Sequence, residues 1–404
     1  MAHPQIQAVT PSLFGALKTQ AQDPLLALMA EFRADPRSGK IDLGVGMYRD
    51  ATGITPVMRA VKAAERILLE TQITKGYMGS EGDPVFVELL KPIVFGEAFA
   101  QSDRIMGLQT PGGTGALRLG AELIATIRPR AKVWLGEPTW PNHRPLLNAA
   151  RLQIEGFKHF DKSSQTLLFD ETMGALTRAD TGDIVLLQAC SHNPTGADYT
   201  LEQWRVIAET LAKRGLVPYF DFAYQGLGEG LAEDAAGLRL VLDHVDEALI
   251  GYASDKNFGV YRERVGALFI VAGNSRAANA AYSQALALAR ANWSMPSDHG
   301  AAVVRLVLQS AELTRDWKAE LDDMRGRILN NRARLAALNP RLGAVAQQRG
   351  MFSQIQITPE AVARLKDEHA VYIVGSGRMN VAGFRDDGEV VRFAKALASV
   401  HGDG

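Results

Sequence analysis

Lys256, in "ASDKNFGVYRERVG" (253–266), leaves an apolar run with an acid directly before it and Arg262 and Arg264 within the next eight residues. A lysine is seldom buried unless paired or chemically used, and desolvation lowers its pKa toward that of an amine nucleophile. The alternative is an ordinary exposed lysine at a strand end. Asp221, in "YFDFAYQG" (219–226), stands among aromatic and small residues together with Tyr224. An isolated carboxylate is too costly to bury there and must be paired. Its partner is either a structural cation or the cationic ring nitrogen of a bound heteroaromatic. "TPGGTGALRLG" (110–120) sets Gly112, Gly113 and Thr114 at the start of a helix pattern. Free N–H groups and the helix dipole suit an anion such as phosphate there. The P-loop and dinucleotide spacings are missing, so a plain strand–helix turn is the alternative. "SHNPTG" (191–196) is a turn by composition, with a cis proline as one option, and Asn193 in it offers a neutral donor. Arg378 in "VGSGRMNVAG" and Arg290 in "ALARANWSMPSDHG" keep small-residue or aromatic company. Partly enclosed, a guanidinium grips carboxylates bidentately; otherwise it is a surface cation.

Positioning these groups requires a scaffold. Apolar runs at 131–138, 183–190, 216–224, 247–254 and 266–273 read as buried parallel strands, with helical patterns between them at 114–127 and 200–215. The second helix opens on Thr200 with Gln203 and closes on Gly215. Such alternation predicts an open α/β sheet whose ligand lies beyond the C-terminal strand ends. Trp140, Asn193, Asp221, Tyr224 and Lys256 all fall in that zone. A long charged helix pattern at 315–338 leads into a mixed α+β tail, read as a smaller lobe.

The bulk numbers narrow the classes. A chain of 404 residues suggests two or three domains, or one large domain with an appendage, and 44 basic against 45 acidic residues leave no electrostatic footprint for nucleic acid or an anionic membrane. One cysteine, Cys190, excludes an internal disulfide and fits a reducing compartment; it reads as a small buried hydrophobe. The histidines show no metal-ligand spacing. The first twenty residues do not read as a signal peptide and no apolar run spans a bilayer, so a cytoplasmic protein is expected.

In this order, "GKIDLGVGMYRDATGITPVMRAV" (39–61), "TKGYMGSEGDP", "GGTGALR", "TWPNH", "HNPTG", "DFAYQG", "KNFGVYRERVG" and "SGRMNVAG" cover nearly the whole chain. It resembles the class I, fold type I aminotransferases that use pyridoxal 5'-phosphate, in particular bacterial aspartate and aromatic amino acid aminotransferases. The resemblance implies a large domain (53–320) with a mostly parallel seven-stranded sheet. It implies an N-terminal arm and part of the small domain at 1–52, and the small α+β C-terminal domain at 321–404. It also implies ping-pong exchange of an amino group between aspartate, glutamate or aromatic amino acids and 2-oxoglutarate or oxaloacetate.

Lys256 would carry the cofactor covalently and shuttle the proton. Asp221, supported by His143, would hold the pyridine nitrogen protonated. Asn193 and Tyr224 would bond the phenolic oxygen and Trp140 would stack on the ring. Gly113, Thr114 and Arg264 would hold the phosphate, joined by Tyr77 of a second subunit. Arg378 would clamp the substrate α-carboxylate and Gly46 would line its cavity. Arg290, again from the second subunit of a homodimer, would meet a distal carboxylate. Three departures stand out: Asp255 and Ala253 where serines are usual, Gln188 where a histidine is usual, and "WSMPSD" in a specificity segment. Ala253 cannot donate to a phosphate, which predicts weaker cofactor retention. Asp255 is expected to share one side of an extended strand with residue 253 and to turn toward Arg262 or Arg264. A β-lyase or decarboxylase on this fold, and a non-catalytic regulator domain, are the rival functions. Two carboxylate-binding arginines speak against the first, and the lack of room for a DNA-binding appendage against the second.

Overall fold

The computed structural model describes residues 14–15, 17–19 and 22–401. The expectation about the first twenty residues, and the start of the 1–52 arm, fall largely outside them. Seven strands form the main sheet: β1 (Ile105–Pro111), β2 (Lys132–Glu137), β3 (Gln153–Lys158), β4 (Ile184–Gln188), β5 (Val217–Phe222), β6 (Ala248–Ala253) and β7 (Val265–Val271). Their order is β1-β7-β6-β5-β4-β2-β3.

The run at 266–273 was expected to be parallel, and it is not: β7 runs antiparallel to both β1 and β6. A parallel return needs a crossover, usually helical, and residues 254–264 contain no helix to make one. The sheet remains parallel elsewhere. Two strands carry no long apolar run in the sequence. β3 is an edge strand with mostly exposed side chains, and β1 is interrupted by Gly107 and Gln109.

Helices cover both faces, so every residue of β6 and β7 is buried. α1 (Gly112–Ile127) follows β1 directly and packs on β6 and β7. α2 (Leu201–Arg214) has the expected ends: Thr200 and Gln203 form a reciprocal cap, and Gly215 closes it in the left-handed conformation. α3 (Ala311–Leu338) leads into the C-terminal part. There Ile41–Asp42 pairs in parallel with Val371–Tyr372, and Phe352–Gln354 pairs antiparallel with Arg378–Asn380. Residues near the N-terminus thus complete a ladder with residues near the C-terminus. Among the described residues no helix is long and apolar enough to cross a membrane.

Candidate active site

A cavity of about 270 Å³ opens beyond the C-terminal ends of the parallel strands. Gly46, Gly113, Thr114, Trp140, Asn193, Asp221, Tyr224, Lys256, Arg264 and Arg378 all line it.

Its first end is an anion cradle. β1 runs straight into α1, whose first turn presents Gly113 and Thr114 beside Arg264. Ala253, the last residue of β6, is buried against Gly113, where a Cβ would stand 2.9 Å from its methyl. The extended-strand placement of Asp255 is overturned, because β6 ends at Ala253 and residues 255–258 form a turn, with Gly259 N–H donating to Lys256 O at 3.2 Å. That turn, rather than strand alternation, aims Asp255. Its Oδ2 accepts from Arg264 Nη1 at 2.5 Å and its Oδ1 from the Val265 N–H at 3.0 Å. The expected ion pair therefore forms, with Arg264 and not Arg262. Arg264 itself stands at φ +56°, a left-handed conformation costly for a side chain of this size.

The middle of the cavity holds the ionisable pairings. Asp221, near the end of β5, meets His143 Nε2 at 3.0 Å, and His143 Nδ1 meets Thr139 Oγ1 at 2.7 Å. The partner that a buried Asp221 required is this histidine. Lys256 Nζ lies 5.3 Å from the centre of the Tyr224 ring. Burial pushes its amine pKa down, partly opposed by Asp255 and Asp221. Burial, with Asp221 adding to it, raises the Tyr224 hydroxyl above its usual value. Asn193 Nδ2 donates to that hydroxyl at 3.2 Å. The Asn193–Pro194 bond is cis. Gln188 acquires a role here: its amide accepts from Asn193 N–H at 2.8 Å and donates to Asn193 O at 2.9 Å. The residue at this departure fixes the turn that presents Asn193.

At the far end Arg378 is 7% exposed. Its Nη2 donates to Gly44 O at 2.9 Å, Nη1 to Asn193 Oδ1 at 3.4 Å, and Nε has no partner. Among the described residues no acid forms a salt bridge with it, and burial pushes its pKa down. Phe352, which carried no signal in the sequence, packs its ring 4.7 Å from the Arg378 guanidinium. Gly46 faces that ring so closely that a Cβ would sit 2.6 Å from Cζ. Tyr77, 97% exposed, and Arg290, exposed and bonded to Ser294 Oγ, lie outside this chain's own cavity. Cys190 is buried, as expected, and burial pushes its thiol pKa up.

An enclosed amine, a histidine-supported carboxylate, a helix-start anion cradle and a buried guanidinium that no acid among the described residues salt-bridges belong to an α/β enzyme that handles small carboxylate substrates. The model of the family "Aminotransferase class I and II" matches residues 38–397, and the chain belongs to that family. It is a transaminase, moving amino groups between amino acids and 2-oxo acids. The tyrosine aminotransferase of Rhizobium meliloti is 51% identical over 92% of this chain and 96% of its own length. The aspartate aminotransferase of Escherichia coli is 44% identical over 93% and 97%. An aromatic amino acid aminotransferase from Burkholderia pseudomallei, covalently bound to pyridoxal phosphate, superimposes with a TM-score of 0.93 at 37% identity, covering 96% of this chain and 99% of that one.

Proposed function

We propose that the chain binds pyridoxal 5'-phosphate and exchanges amino groups between 2-oxo acids and both dicarboxylic and aromatic amino acids. The observation that carries this is Arg378, a buried cation with no salt bridge to an acid among the described residues, across one cavity from the Lys256 amine. The donor set fits the cofactor. N–H groups and a guanidinium await a phosphate, Asp221 awaits a cationic ring nitrogen, and the Trp140 indole offers a stacking face.

When bound, the cofactor supplies an electron sink for the carbanion at the substrate Cα. The protein does the rest. Gly113, Thr114 and Arg264 hold the phosphate at the start of α1. His143 holds the Asp221 carboxylate in place, from where it would keep the cofactor's ring nitrogen protonated. Asn193 and Tyr224 bond the phenolic oxygen. Lys256 Nζ would anchor the cofactor and, as a buried amine of lowered pKa, would accept and return the proton at the substrate Cα. Arg378 orients amino acid and 2-oxo acid alike by the α-carboxylate, which is what ping-pong exchange requires.

Exposure of Tyr77 and Arg290 supports a homodimer in which each copy lends them to the other's cavity. The ladder between residues 41–42 and 371–372 supports a small lobe of 1–52 with 321–404, closing on a large lobe of 53–320. The buried thiol of Cys190 supports a cytoplasmic setting. Met295, near Arg290, supports acceptance of a ring once that arginine turns away. The test compares aspartate, phenylalanine and tyrosine with 2-oxoglutarate as acceptor. Turnover dependent on the 2-oxo acid is expected for all three. Turnover without an acceptor points to lyase or decarboxylase chemistry, and inactivity on phenylalanine and tyrosine removes the dual specificity.

A further inference from the structure

Arg332 lies on α3, 1% exposed, and every one of its hydrogen bonds goes to a neutral acceptor. The carbonyls of Val345, Arg349, Gly350 and Phe352 and the Ser353 hydroxyl accept from it at 2.7–3.2 Å. Burial pushes its pKa down, opposed by the Asp198 carboxylate, and the guanidinium, always a cation in proteins, is solvated directly by backbone dipoles. A buried charge without a bonded acid is expensive unless its donors are all used. Here they are used to gather one irregular segment around a single point.

That segment ends in Phe352. Its carbonyl accepts from Arg332 Nη2 at 2.7 Å, while its ring lies against Arg378. The same segment locks onto the turn that carries Asn193. Arg349 N–H donates to Gly196 O at 2.7 Å, and Gly196, at φ +69°, would drive a Cβ to within 2.3 Å of Phe352 O. Asn193 and Phe352 are both contacts of Arg378, and both hang from the assembly that Arg332 holds.

We infer that Arg332 is a positioning residue for the carboxylate clamp, acting through the carbonyls of Val345, Arg349, Gly350 and Phe352 and the Ser353 hydroxyl to fix Phe352 against Arg378. The inference rests on the assignment of Arg378 to the substrate carboxylate. Lysine cannot replace Arg332, since an ammonium is a point charge and cannot reach acceptors spread around a planar fork.

The experiment uses the cofactor-loaded enzyme, with steady-state kinetics, the cofactor dissociation constant and Tm measured for Arg332→Lys, Phe352→Leu and Arg378→Lys. Arg332→Lys is expected to raise the amino acid KM by about ten-fold, short of the roughly 10²-fold that an ångström of misplacement costs, with kcat and cofactor affinity nearly unchanged. Phe352→Leu, which leaves Arg332 its carbonyls, is expected to give the same KM rise without the loss of Tm. An unchanged KM in folded Arg332→Lys overturns the inference, as does an equal loss in kcat, KM and cofactor affinity. Should Arg332→Lys not fold, Ser353→Ala removes one acceptor and decides instead: a raised KM upholds the inference and an unchanged one overturns it. An unaltered KM in Arg378→Lys overturns the clamp assignment itself. A raised KM in Arg378→Lys beside an unaltered one in Arg332→Lys overturns only the role of Arg332.

Discussion

Asp221, near the end of β5, and Asp255, in the turn after the adjacent β6, are 6% and 1% exposed, yet they resolve the cost of burial in opposite ways. Asp221 is bonded through one oxygen to a histidine and otherwise lines the cavity. Asp255 commits both oxygens to the protein, one to Arg264 and one to the Val265 N–H. The first acid is available to a ligand; the second is occupied with holding a ligand-binding group. Proximity to a cavity is therefore a poor guide to chemical role, and unsatisfied bonding capacity is a better one.

The largest effect should come from the amine between them. Lys256→Ala is expected to lose several orders of magnitude in turnover while still binding the cofactor non-covalently. Borohydride reduction and peptide mapping should label Lys256 in the wild type, and a label elsewhere removes it from this role. Next, Asp221→Asn should cut kcat by about 10²–10³-fold, as expected for a preorganised electrostatic group, whereas Asp255→Asn should leave kcat within a few-fold. Equal losses would erase the distinction between the two acids.

Substitution of Arg290 by leucine should damage aspartate turnover far more than phenylalanine turnover, because only the former presents a second carboxylate. Equal losses would show that the arginine serves both.

The cradle offers a smaller, sharper contrast. Ala253→Ser adds a donor beside Gly113, and a hydrogen bond to a charged group is worth about 1.5–3 kcal/mol. The cofactor dissociation constant, measured by dialysis, should tighten by about ten-fold or more. Asp255→Ser, in parallel, reports whether the Arg264 pair helps or hinders retention. No change in either variant would mean that another group already completes the cradle.

The smallest effect is on the cofactor-free protein. With the native Lys256 pKa lowered, the unfolded chain holds that proton to higher pH than the native one. Native stability should thus rise with pH from the lowered value up to the ordinary lysine value of 10.5. Lys256→Met should flatten that rise in denaturant titrations at a series of pH values.

Much of this was legible in the chain because burial leaves a compositional trace. Apart from Gln188 and Asp221, the residues of β4 to β7 are apolar or aromatic, and the ends of α2 announce themselves by Thr200, Gln203 and Gly215. A carboxylate among aromatic residues demanded a partner, and His143 supplies it. What stayed hidden depends on contacts remote in sequence. β3 is half solvated and shows no apolar run, the direction of β7 depends on what is absent from 254–264, and Phe352 becomes a site residue only because residues 352–354 pair with 378–380. Gln188 looked like a loss until its two bonds to the Asn193 backbone were visible.

The reversed strand β7 has a consequence for how such a chain can vary. The consecutive parallel neighbours β2–β3, β4–β5 and β5–β6 are joined by helix-containing crossovers, whose loops can absorb an added residue. Residues 254–264 have no such slack: Lys256 stands near one end and Arg264 at the other, and both line the cavity. One residue inserted or deleted between them would rotate one of the two out of the cavity. Among relatives, gaps should accumulate in the crossovers and be absent from this stretch, so its length, more than its composition, should mark chains that keep the activity.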